Sequence, residues 1–345
     1  MIARMAVLGA GVMGSEIAWV AASGGLDVQL LDSDPAALDR GLAHIAKIGA
    51  RAVKRGKATE EEVAAIVARV TPTSDSADLG IADMAIEAVP EILDVKRAVV
   101  KTLDRVLPPG ALIASNTSGL SIAALGRETS RPELVLGLHF FNPASVMKLV
   151  EVIQGEGTSP ETAAAGEELA RALGKVPVRV KECPGFLVNR ILVRAMSEAY
   201  RLAEELGADR AAADAATVAG GPAPMGPFAL GDLVGLDTLD HIQKDLQAAY
   251  GDRFADGGQV GREVAAGRLG RKSGAGFYEG LPPEGAEADE AGLAVARRYY
   301  ESAFDEARRC LDEEIAAEDD VDTAMCYGCG WSEGPLAWAR ERKGA

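Results

Sequence analysis

The 345-residue sequence contains only three histidines and four cysteines. The cysteines, at positions 183, 310, 326 and 329, are too few and too unevenly spaced to predict a disulfide framework. Cys326 and Cys329 have no second pair and no nearby histidine, whereas a structural zinc ion needs four ligands. We therefore predict no metal site and interpret both residues as packing residues.

The sequence also lacks any apolar run approaching roughly 18 residues, so no transmembrane helix is predicted. The first strand begins at Met5, which leaves no room for a signal peptide, and we expect a cytoplasmic protein. A net charge of −16 argues against a general nucleic-acid surface. With 48% hydrophobic residues, the chain is typical of soluble globular proteins, and its length suits two or three domains.

A glycine-rich motif follows the first apolar strand. Met5–Leu8 runs into Gly9-Ala-Gly11-Val12-Met13-Gly14, and a second strand, Val28–Leu31, ends at Asp32. The first glycine allows a tight turn, the second lets backbone approach a pyrophosphate, and the third lets a helix pack on the sheet. Asp32 is placed to accept hydrogen bonds from a ribose and would repel the 2′-phosphate of NADP. The pattern predicts an NAD-binding unit, with a generic βαβ start as the alternative.

Strands and helices alternate up to about residue 182, which predicts an α/β domain of the Rossmann type with a doubly wound sheet. Polar residues follow the strands Met84–Glu87 and Ala111–Ser115. Because the carboxyl ends of parallel strands face the ligand crevice, Asn116 and Ser118 are placed for function. The same residues could instead simply form a turn.

His139 ends the apolar run Leu134–Leu138, and a single carboxylate, Glu151, interrupts the next apolar run. A buried charge is costly without a partner, so we expect the two side chains to pair. Glu151 would hold the imidazole tautomer and raise its basicity, leaving the other ring nitrogen to exchange a proton with a substrate. A purely structural contact is the alternative interpretation.

A basic cluster ends the predicted helix from Pro35 to about Lys54. No acidic residue occurs between Arg40 and Glu60. In an acidic protein this cluster is a local positive field, suited to a phosphorylated ligand other than the dinucleotide. A solvated helix face is the alternative. The residues of the cluster are Lys47, Arg51, Lys54, Arg55 and Lys57.

Helical spacing replaces strand patterns from Cys183, and Asn189 begins the first of these helices. The segment 291–345 partly repeats the unit: with a shift of 108 residues, Met196–Ala229 and Phe304–Ala337 share eleven identities. Arg297 stands at the position of Asn189, so we interpret the copy as structural. The predicted organisation is a domain at 1–182, an all-α domain at 183–280, a linker at 281–290 and a truncated second copy at 291–345.

The second copy has an apolar face too large to leave exposed. We expect this face to pack on the first helical unit, over Phe186–Leu206 and the segment near Met225–Leu236. The chain would then form an internal pseudo-dimer and be a monomer or a weak homo-oligomer. The face consists of Leu293, Tyr299, Tyr300, Phe304 and Leu311.

The ordered motifs of residues 1–280 resemble those of the 3-hydroxyacyl-CoA dehydrogenase family, and most of all the bacterial 3-hydroxybutyryl-CoA dehydrogenases. The motifs agree in spacing across both predicted domains. They are GAGVMG at 9–14, EAVPE at 87–91, SNTS at 115–118, HFFNP at 139–143, KLVEV at 148–152, PGFLVNR at 184–190, PMGPF at 224–228, GLD at 235–237 and KSGAGFY at 272–278.

The resemblance implies a reversible, NAD-linked oxidation of L-3-hydroxyacyl-CoA to 3-ketoacyl-CoA. His139 would be the acid/base and Glu151 its orienting partner, while Ser118 and Asn189 would line the substrate site. Coenzyme A would supply phosphates for Lys47, Arg51 and Lys54. The expected cofactor-binding residues are Gly9, Gly11, Val12, Met13, Gly14, Asp32, Ala88, Val89, Glu91, Lys96, Asn116, Ser118, Asn142 and Lys272.

Two departures from the family pattern stand out. Gly220-Gly-Pro-Ala-Pro224 replaces the usual Gly-x-Gly-Tyr-Pro, and short family members lack the appended half-repeat. Two rival functions also remain. A hydroxy-acid or sugar-acid dehydrogenase of the same fold would not need the basic helix end, and a non-catalytic dinucleotide-binding structural protein would be expected to lose the polar site residues.

Overall fold

The computed structural model describes residues 2–343 and divides the chain into two compact units, Met1–Glu182 and Cys183–Ala345. Most residue contacts of each unit are internal to that unit. No helix among the described residues is both long and apolar enough to cross a membrane.

The first unit is an eight-stranded sheet with the strand order β3-β2-β1-β4-β5-β6-β7-β8. All neighbouring strands are parallel except β6 and β7, which are antiparallel. The predicted Rossmann-type doubly wound fold is confirmed. The strands are β1 (Arg4–Leu8), β2 (Asp27–Leu31), β3 (Val70–Thr73), β4 (Met84–Glu87), β5 (Leu112–Ser115), β6 (Val135–Phe140), β7 (Leu149–Gln154) and β8 (Val176–Lys181). The helices are α1 (Val12–Ser23), α2 (Pro35–Lys54), α3 (Glu60–Ala68), α4 (Leu93–Val106), α5 (Ile122–Gly126) and α6 (Pro160–Ala172).

The central strands are buried on both faces. Every residue of β4, β5 and β6 is buried, and only Arg4 of β1 is exposed. Strands covered by helices on both sides read as continuous apolar runs, which is why the sequence shows them clearly.

Three helices or strands of this unit were not predicted, namely α3, α5 and β3. The helix α3 begins with a capping box in which Thr59 and Glu62 bond each other's backbone N–H groups. That spacing was a readable signal for a helix start. The strand β3 pairs with β2 alone at the sheet edge and contains Pro72. Proline within a run of residues argues against a strand, and an edge position is where it is tolerated.

The described part of the second unit is helical, with isolated bridges at Ala275 as its only strand-like pairing. Gly207, in the left-handed conformation with φ 62°, ends its first helix. The helices are α7 (Val188–Leu206), α8 (Arg210–Gly220), α9 (Pro227–Val234), α10 (Leu236–Tyr250), α11 (Gln259–Ala265), α12 (Glu290–Asp312), α13 (Glu318–Cys329) and α14 (Pro335–Lys343).

A carboxylate cap recurs 108 positions apart in this unit. Asp214 accepts hydrogen bonds from the backbone N–H groups of Phe228 and Ala229, at 2.9 and 2.8 Å. Asp322 accepts the equivalent bonds from Leu336 and Ala337, at 2.9 and 3.0 Å. The segment α12–α14 thus repeats the local geometry of α7–α9.

The long helix α12 packs along α7 and α8. Tyr299 and Tyr300 are buried, and the Tyr300 hydroxyl donates to the carbonyl of Thr217 at 2.7 Å. The same hydroxyl accepts from the N–H of Ala223, in the loop where the sequence departs from the family pattern, at 3.2 Å. One expectation for the apolar face was wrong: Leu293 is 54% exposed and is not among the buried residues of α12.

Candidate active site

The glycine loop after β1 has the close backbone approaches that the sequence pattern requires. Gly9 has φ +94°, and a Cβ atom there would lie 2.8 Å from the carbonyl oxygen of Ala88. A Cβ atom at Gly14 would lie 1.7 Å from the carbonyl oxygen of Gly9, so only glycine fits. Gly11, in contrast, faces open space. The loop leaves room for a ligand at its middle glycine.

The N-terminus of α1 is suited to bind the pyrophosphate of NAD. Gly11 is the N-cap residue, and no side chain caps the first-turn N–H groups. Such uncapped N–H groups and the positive end of the helix dipole favour a phosphate. Val12 is 58% exposed and Met13 half-buried beside this end. These residues fit the cofactor that the motif implies.

Asp32 connects the end of β2 to the glycine loop. Its Oδ2 accepts a hydrogen bond from the N–H of Ala10 at 2.8 Å, and its Oδ1 accepts one from Asp34 at 3.0 Å. The side chain is half-buried. Asp32 therefore stabilises the loop conformation and also places a negative charge at the end of β2, where the adenosine ribose would lie.

A buried ion pair that the sequence analysis missed lies at the end of β4. The ammonium group of Lys96 contacts the two carboxylate oxygens of Glu87 at 3.0 and 2.9 Å and the carbonyl of Val89 at 3.2 Å. Ser115 also donates to Glu87. Burial raises the pKa of Glu87, and the positive charge of Lys96 opposes that shift. The sequence did offer a signal for this ion pair, because Glu87 is a lone carboxylate at the end of an apolar strand and needs a partner if buried.

Glu91 links this ion pair to the loop after β5. Its carboxylate is 3.2 Å from the Lys96 ammonium group and accepts hydrogen bonds from the Thr117 hydroxyl and, at 2.9 Å, the Ser118 N–H. Asn116, in the same loop, accepts from the N–H of Phe140 at 2.9 Å. The proposed cofactor residues Glu91 and Lys96 and the proposed substrate residue Ser118 thus share one network of polar contacts.

His139 and Glu151 form the predicted pair. The Nδ1 atom of His139 lies 2.6 Å from Oε2 of Glu151, and the two residues are 5% and 0% exposed. Phe141 packs against the imidazole, with ring centroids 4.5 Å apart. Because Glu151 engages Nδ1, the Nε2 atom points away from the carboxylate.

The loop between β6 and β7 is held by two charged residues that the sequence analysis did not single out. Glu16 of α1 accepts a hydrogen bond from the N–H of Ser145 at 2.7 Å. The ammonium group of Lys175 donates to the carbonyl of Met147 at 2.8 Å and to that of Ala144. Burial lowers the pKa of Lys175 to about 8. This loop carries the exposed Asn142, one of the expected cofactor contacts.

The basic cluster lies at the carboxyl end of α2. Lys47, Arg51 and Lys54 are all exposed, and the last two belong to the final turn of the helix. Exposed cations at this helix end are favoured by the helix dipole even without a ligand. The arrangement is therefore compatible with both interpretations of the cluster.

Asn189 and Lys272 belong to the second unit. Asn189 is half-buried near the start of α7. The ammonium group of Lys272 pairs with the carboxylate of Asp237 at 2.5 and 2.6 Å. Asp237 belongs to the Gly235-Leu-Asp237 motif, so this ion pair joins two of the motifs on which the family resemblance rests.

Two family descriptions match consecutive parts of the chain. Residues 4–183 match the "3-hydroxyacyl-CoA dehydrogenase, NAD binding domain", and residues 185–280 match the "3-hydroxyacyl-CoA dehydrogenase, C-terminal domain". Together they include the glycine loop, the His139–Glu151 pair and Asn189.

Among curated proteins, the chain is similar to the "Probable 3-hydroxybutyryl-CoA dehydrogenase" of Bacillus subtilis, with 42% identity over 279 residues. The match covers 81% of this chain and 97% of the relative. It is also 38% identical over 356 residues to the "Fatty acid oxidation complex subunit alpha" of a Psychrobacter species. That match covers 96% of this chain but only 49% of the relative, so the chain spans about half its length.

Two solved structures resemble the chain to different extents. The 3-hydroxybutyryl-CoA dehydrogenase of Escherichia coli matches 99% of this chain and 92% of its own, with a TM-score of 0.92 and 32% identity. The (S)-3-hydroxybutyryl-CoA dehydrogenase of Ralstonia eutropha matches 82% of this chain and 100% of its own, with a TM-score of 0.79 and 39% identity. The half-repeat thus has a structural counterpart in the first protein.

Proposed function

The chain belongs to the 3-hydroxyacyl-CoA dehydrogenase family, and from this premise we propose that it oxidises L-3-hydroxyacyl-CoA to 3-ketoacyl-CoA reversibly with NAD. The observation that carries the proposal is the buried His139–Glu151 pair, with Nδ1 and Oε2 2.6 Å apart, in the same unit as a glycine loop suited to a dinucleotide. The 3-hydroxybutyryl-CoA type is the proposed substrate class because relatives of that name match both units.

In the proposed mechanism His139 is the acid/base. When bound, NAD would supply the group that accepts the hydride leaving carbon 3 of the substrate. Nε2 of His139 takes the hydroxyl proton, and Glu151 stabilises the imidazolium that forms by accepting from Nδ1. In the reverse direction His139 returns the proton to the developing alkoxide.

Ser118 and Asn189 are the proposed substrate-binding residues. Both can hydrogen-bond the substrate oxygens, which holds the reacting carbon in place and lowers the entropic part of the barrier. The Ser118 backbone is already held by Glu91. Glu91 and Lys96 would therefore act on both the cofactor side and the substrate side of the site, and Asn142 and Lys272 remain proposed cofactor contacts.

The phosphates of coenzyme A are the proposed ligands of Lys47, Arg51 and Lys54. The three side chains are exposed on the last turns of α2. In a chain with a net charge of −16 they form a local positive field that would attract phosphates, which supports this role. A hydroxy-acid or sugar-acid dehydrogenase, whose substrates carry no nucleotide, would not need this cluster.

NADH absorbance with a panel of 3-hydroxyacyl-CoA esters of increasing chain length tests the proposal. We expect turnover of the L-esters with NAD and much lower turnover of free 3-hydroxybutyrate. Equal rates with the free acid would favour the hydroxy-acid alternative, and no turnover of any substrate would favour the structural one. His241→Gln is a matched control for His139→Gln, because His241 is 64% exposed on α10.

We also propose the cytoplasm as the compartment, where NAD and CoA esters are both available. Cell fractionation followed by detection of the chain tests this. Recovery of the protein in a membrane or extracellular fraction would contradict it.

The half-repeat supports a further proposal, that the second unit is an internal pseudo-dimer. Arg190 of α7 pairs with Glu306 of α12 at 2.8 Å, and Arg298 of α12 pairs with Glu198 of α7 at 3.3 Å. The two arginines are 108 positions apart, as are the two glutamates. A reciprocal exchange of this kind is what a two-fold interface between identical surfaces produces.

The oligomeric state tests the pseudo-dimer. We expect light scattering to find the full-length chain monomeric or weakly associated, because α12 covers the surface of α7 and α8. Deletion of residues 285–345 should uncover that surface and give a dimer or an aggregate. A full-length dimer that persists unchanged after the deletion would contradict the proposal.

A further inference from the structure

Arg190, the residue after Asn189, is held by the half-repeat. Its side chain is fully buried, and its guanidinium contacts Glu306 at 2.8 Å and Glu313 at 2.7 and 2.8 Å. Both glutamates belong to the half-repeat: Glu306 lies on α12 and Glu313 caps its carboxyl end. The guanidinium also stacks over the ring of Tyr250, 4.3 Å from its centroid.

The turn that leads into Asn189 has an unusual backbone. Gly185 has φ +76°, and Phe186, a bulky residue, has φ +51°. A side chain in the left-handed region is strained and persists only where surrounding contacts enforce it. Two such contacts are the bond from the backbone N–H of Arg190 to the Gly185 carbonyl, at 3.2 Å, and the bond from the Tyr250 hydroxyl to the Pro184 carbonyl, at 3.3 Å.

The two glutamates keep this arrangement together electrostatically. A buried guanidinium without a partner is strongly unfavourable, so Arg190 stays in place only while carboxylates face it. The hydrogen bonds from Arg190 lower the pKa of Glu313, so this carboxylate stays ionised at neutral pH. Glu306 is buried, and its carboxylate also accepts a hydrogen bond from the guanidinium of Arg253 at 3.1 Å. The half-repeat therefore holds Arg190, and through Arg190 and Tyr250 it holds the turn.

We propose that Glu306 and Glu313 are positioning residues for Asn189, so that the half-repeat, in which Arg297 stands at the position of Asn189, is required for productive substrate binding. The proposal rests on the role of Asn189 in the proposed function. The ordered turn and the carboxylates act in series: the glutamates hold Arg190, Arg190 and Tyr250 hold the turn, and the turn directs Asn189.

The pseudo-symmetry of the unit supplies a matched control. Arg298 is the counterpart of Arg190 and pairs with Glu198 across the same two helices. The residue before it is Arg297, not asparagine, and Glu198 lies about 15 Å along α7 from Val188, the residue at which the helix begins after the strained turn. Loss of the Arg298–Glu198 pair should therefore weaken helix packing without disturbing Asn189.

The experiment compares Glu313→Gln with Arg298→Gln in the full-length chain. Glu313 is 44% exposed, so its substitution is compatible with folding. We expect Glu313→Gln to lower kcat/KM for the acyl-CoA ester by about 10- to 100-fold, the scale on which misplaced substrate contacts reduce rates, with the KM for NAD unchanged. Glu313→Asp should recover part of the loss, and Arg298→Gln should retain wild-type kinetics.

Hydrogen exchange of residues 183–189 is the second readout and does not depend on activity. Faster exchange in Glu313→Gln, but not in Arg298→Gln, is the expected result. Unchanged exchange and kinetics in Glu313→Gln would overturn the proposal, as would equal effects of both variants. If the wild-type chain turned over no acyl-CoA ester, the proposed function would fail, and the exchange comparison would still decide whether the half-repeat orders the turn.

Discussion

His139 and Glu151 occupy directly opposed positions on the antiparallel strands β6 and β7, with Nδ1 and Oε2 2.6 Å apart. Opposed residues in such a ladder have their Cβ atoms only about 4.5–5.5 Å apart. The backbone ladder, rather than a flexible loop, therefore sets the separation of the two side chains. Both residues are buried, so the pair is shielded from water.

Substitution of His139 by glutamine should reduce turnover by at least ~100-fold, the usual contribution of a positioned general acid/base. The affinity for NAD should change little, because the glycine loop is built from other elements. Steady-state rates and NAD titration by fluorescence measure both quantities. Near-normal turnover, with His241→Gln as the control, would show that His139 is not the acid/base.

Glu151→Gln should have a smaller effect on turnover than His139→Gln, because the imidazole remains and only its orientation and charge partner are lost. The pH–rate profile should also change, because the imidazole loses its carboxylate partner. Rate measurements between pH 5 and 9 test this expectation. A profile identical to that of the wild type would contradict the idea of a working pair.

Asp32→Ala should weaken NAD binding by about 10- to 100-fold, the effect of losing charged hydrogen bonds, and should reduce the preference for NAD over NADP. Part of the loss would come from the glycine loop, because Ala10 loses its acceptor. Asp34→Ala is the control, since Asp34 caps α2 and its loss should cost about 1 kcal/mol of stability without a change in preference. An unchanged preference in Asp32→Ala would assign selectivity to other residues.

Replacing both Arg51 and Lys54 by alanine should raise the KM for CoA esters by about 3- to 10-fold at low salt, because exposed charge pairs contribute up to about 1 kcal/mol each. The effect should shrink as salt is added. A truncated thioester without the nucleotide end should be indifferent to the change, as should the variant Arg40→Ala at the other end of α2. Equal effects on both substrates would contradict a phosphate-binding role.

Lys175 should make the stability of the first unit increase with pH above about 8. Burial lowers its pKa in the folded state to about 8, whereas the usual value in an unfolded chain is 10.5. Between these values the unfolded chain binds more protons than the folded one, so the free energy of unfolding rises with pH. Urea denaturation from pH 7 to pH 10 should show this rise in the wild type and a weaker rise in Lys175→Met. Lys181→Met, on the exposed part of β8, should behave like the wild type.

Local patterns were sufficient for the buried strands of the first unit. Strands buried on both faces are continuous apolar runs, so β1, β4, β5 and β6 could be read directly. The glycine loop was predictable because its backbone geometry admits only glycine at Gly9 and Gly14. The edge strand β3 was missed, because Pro72 and its short length hide it.

The sequence by itself determined the buried strands, the dinucleotide loop and the pairing of His139 with Glu151, since these depend on local periodicity and on the cost of a lone buried charge. Only the tertiary structure decided that β7 runs antiparallel to β6, that Lys96 lies buried against Glu87, and that Glu306 and Glu313 hold Arg190. The last contacts join residues more than 100 positions apart. Many acidic side chains of the chain carry the charge that a partner of Arg190 needs, so charge alone does not identify that partner. The packing of α12 against α7 selects it.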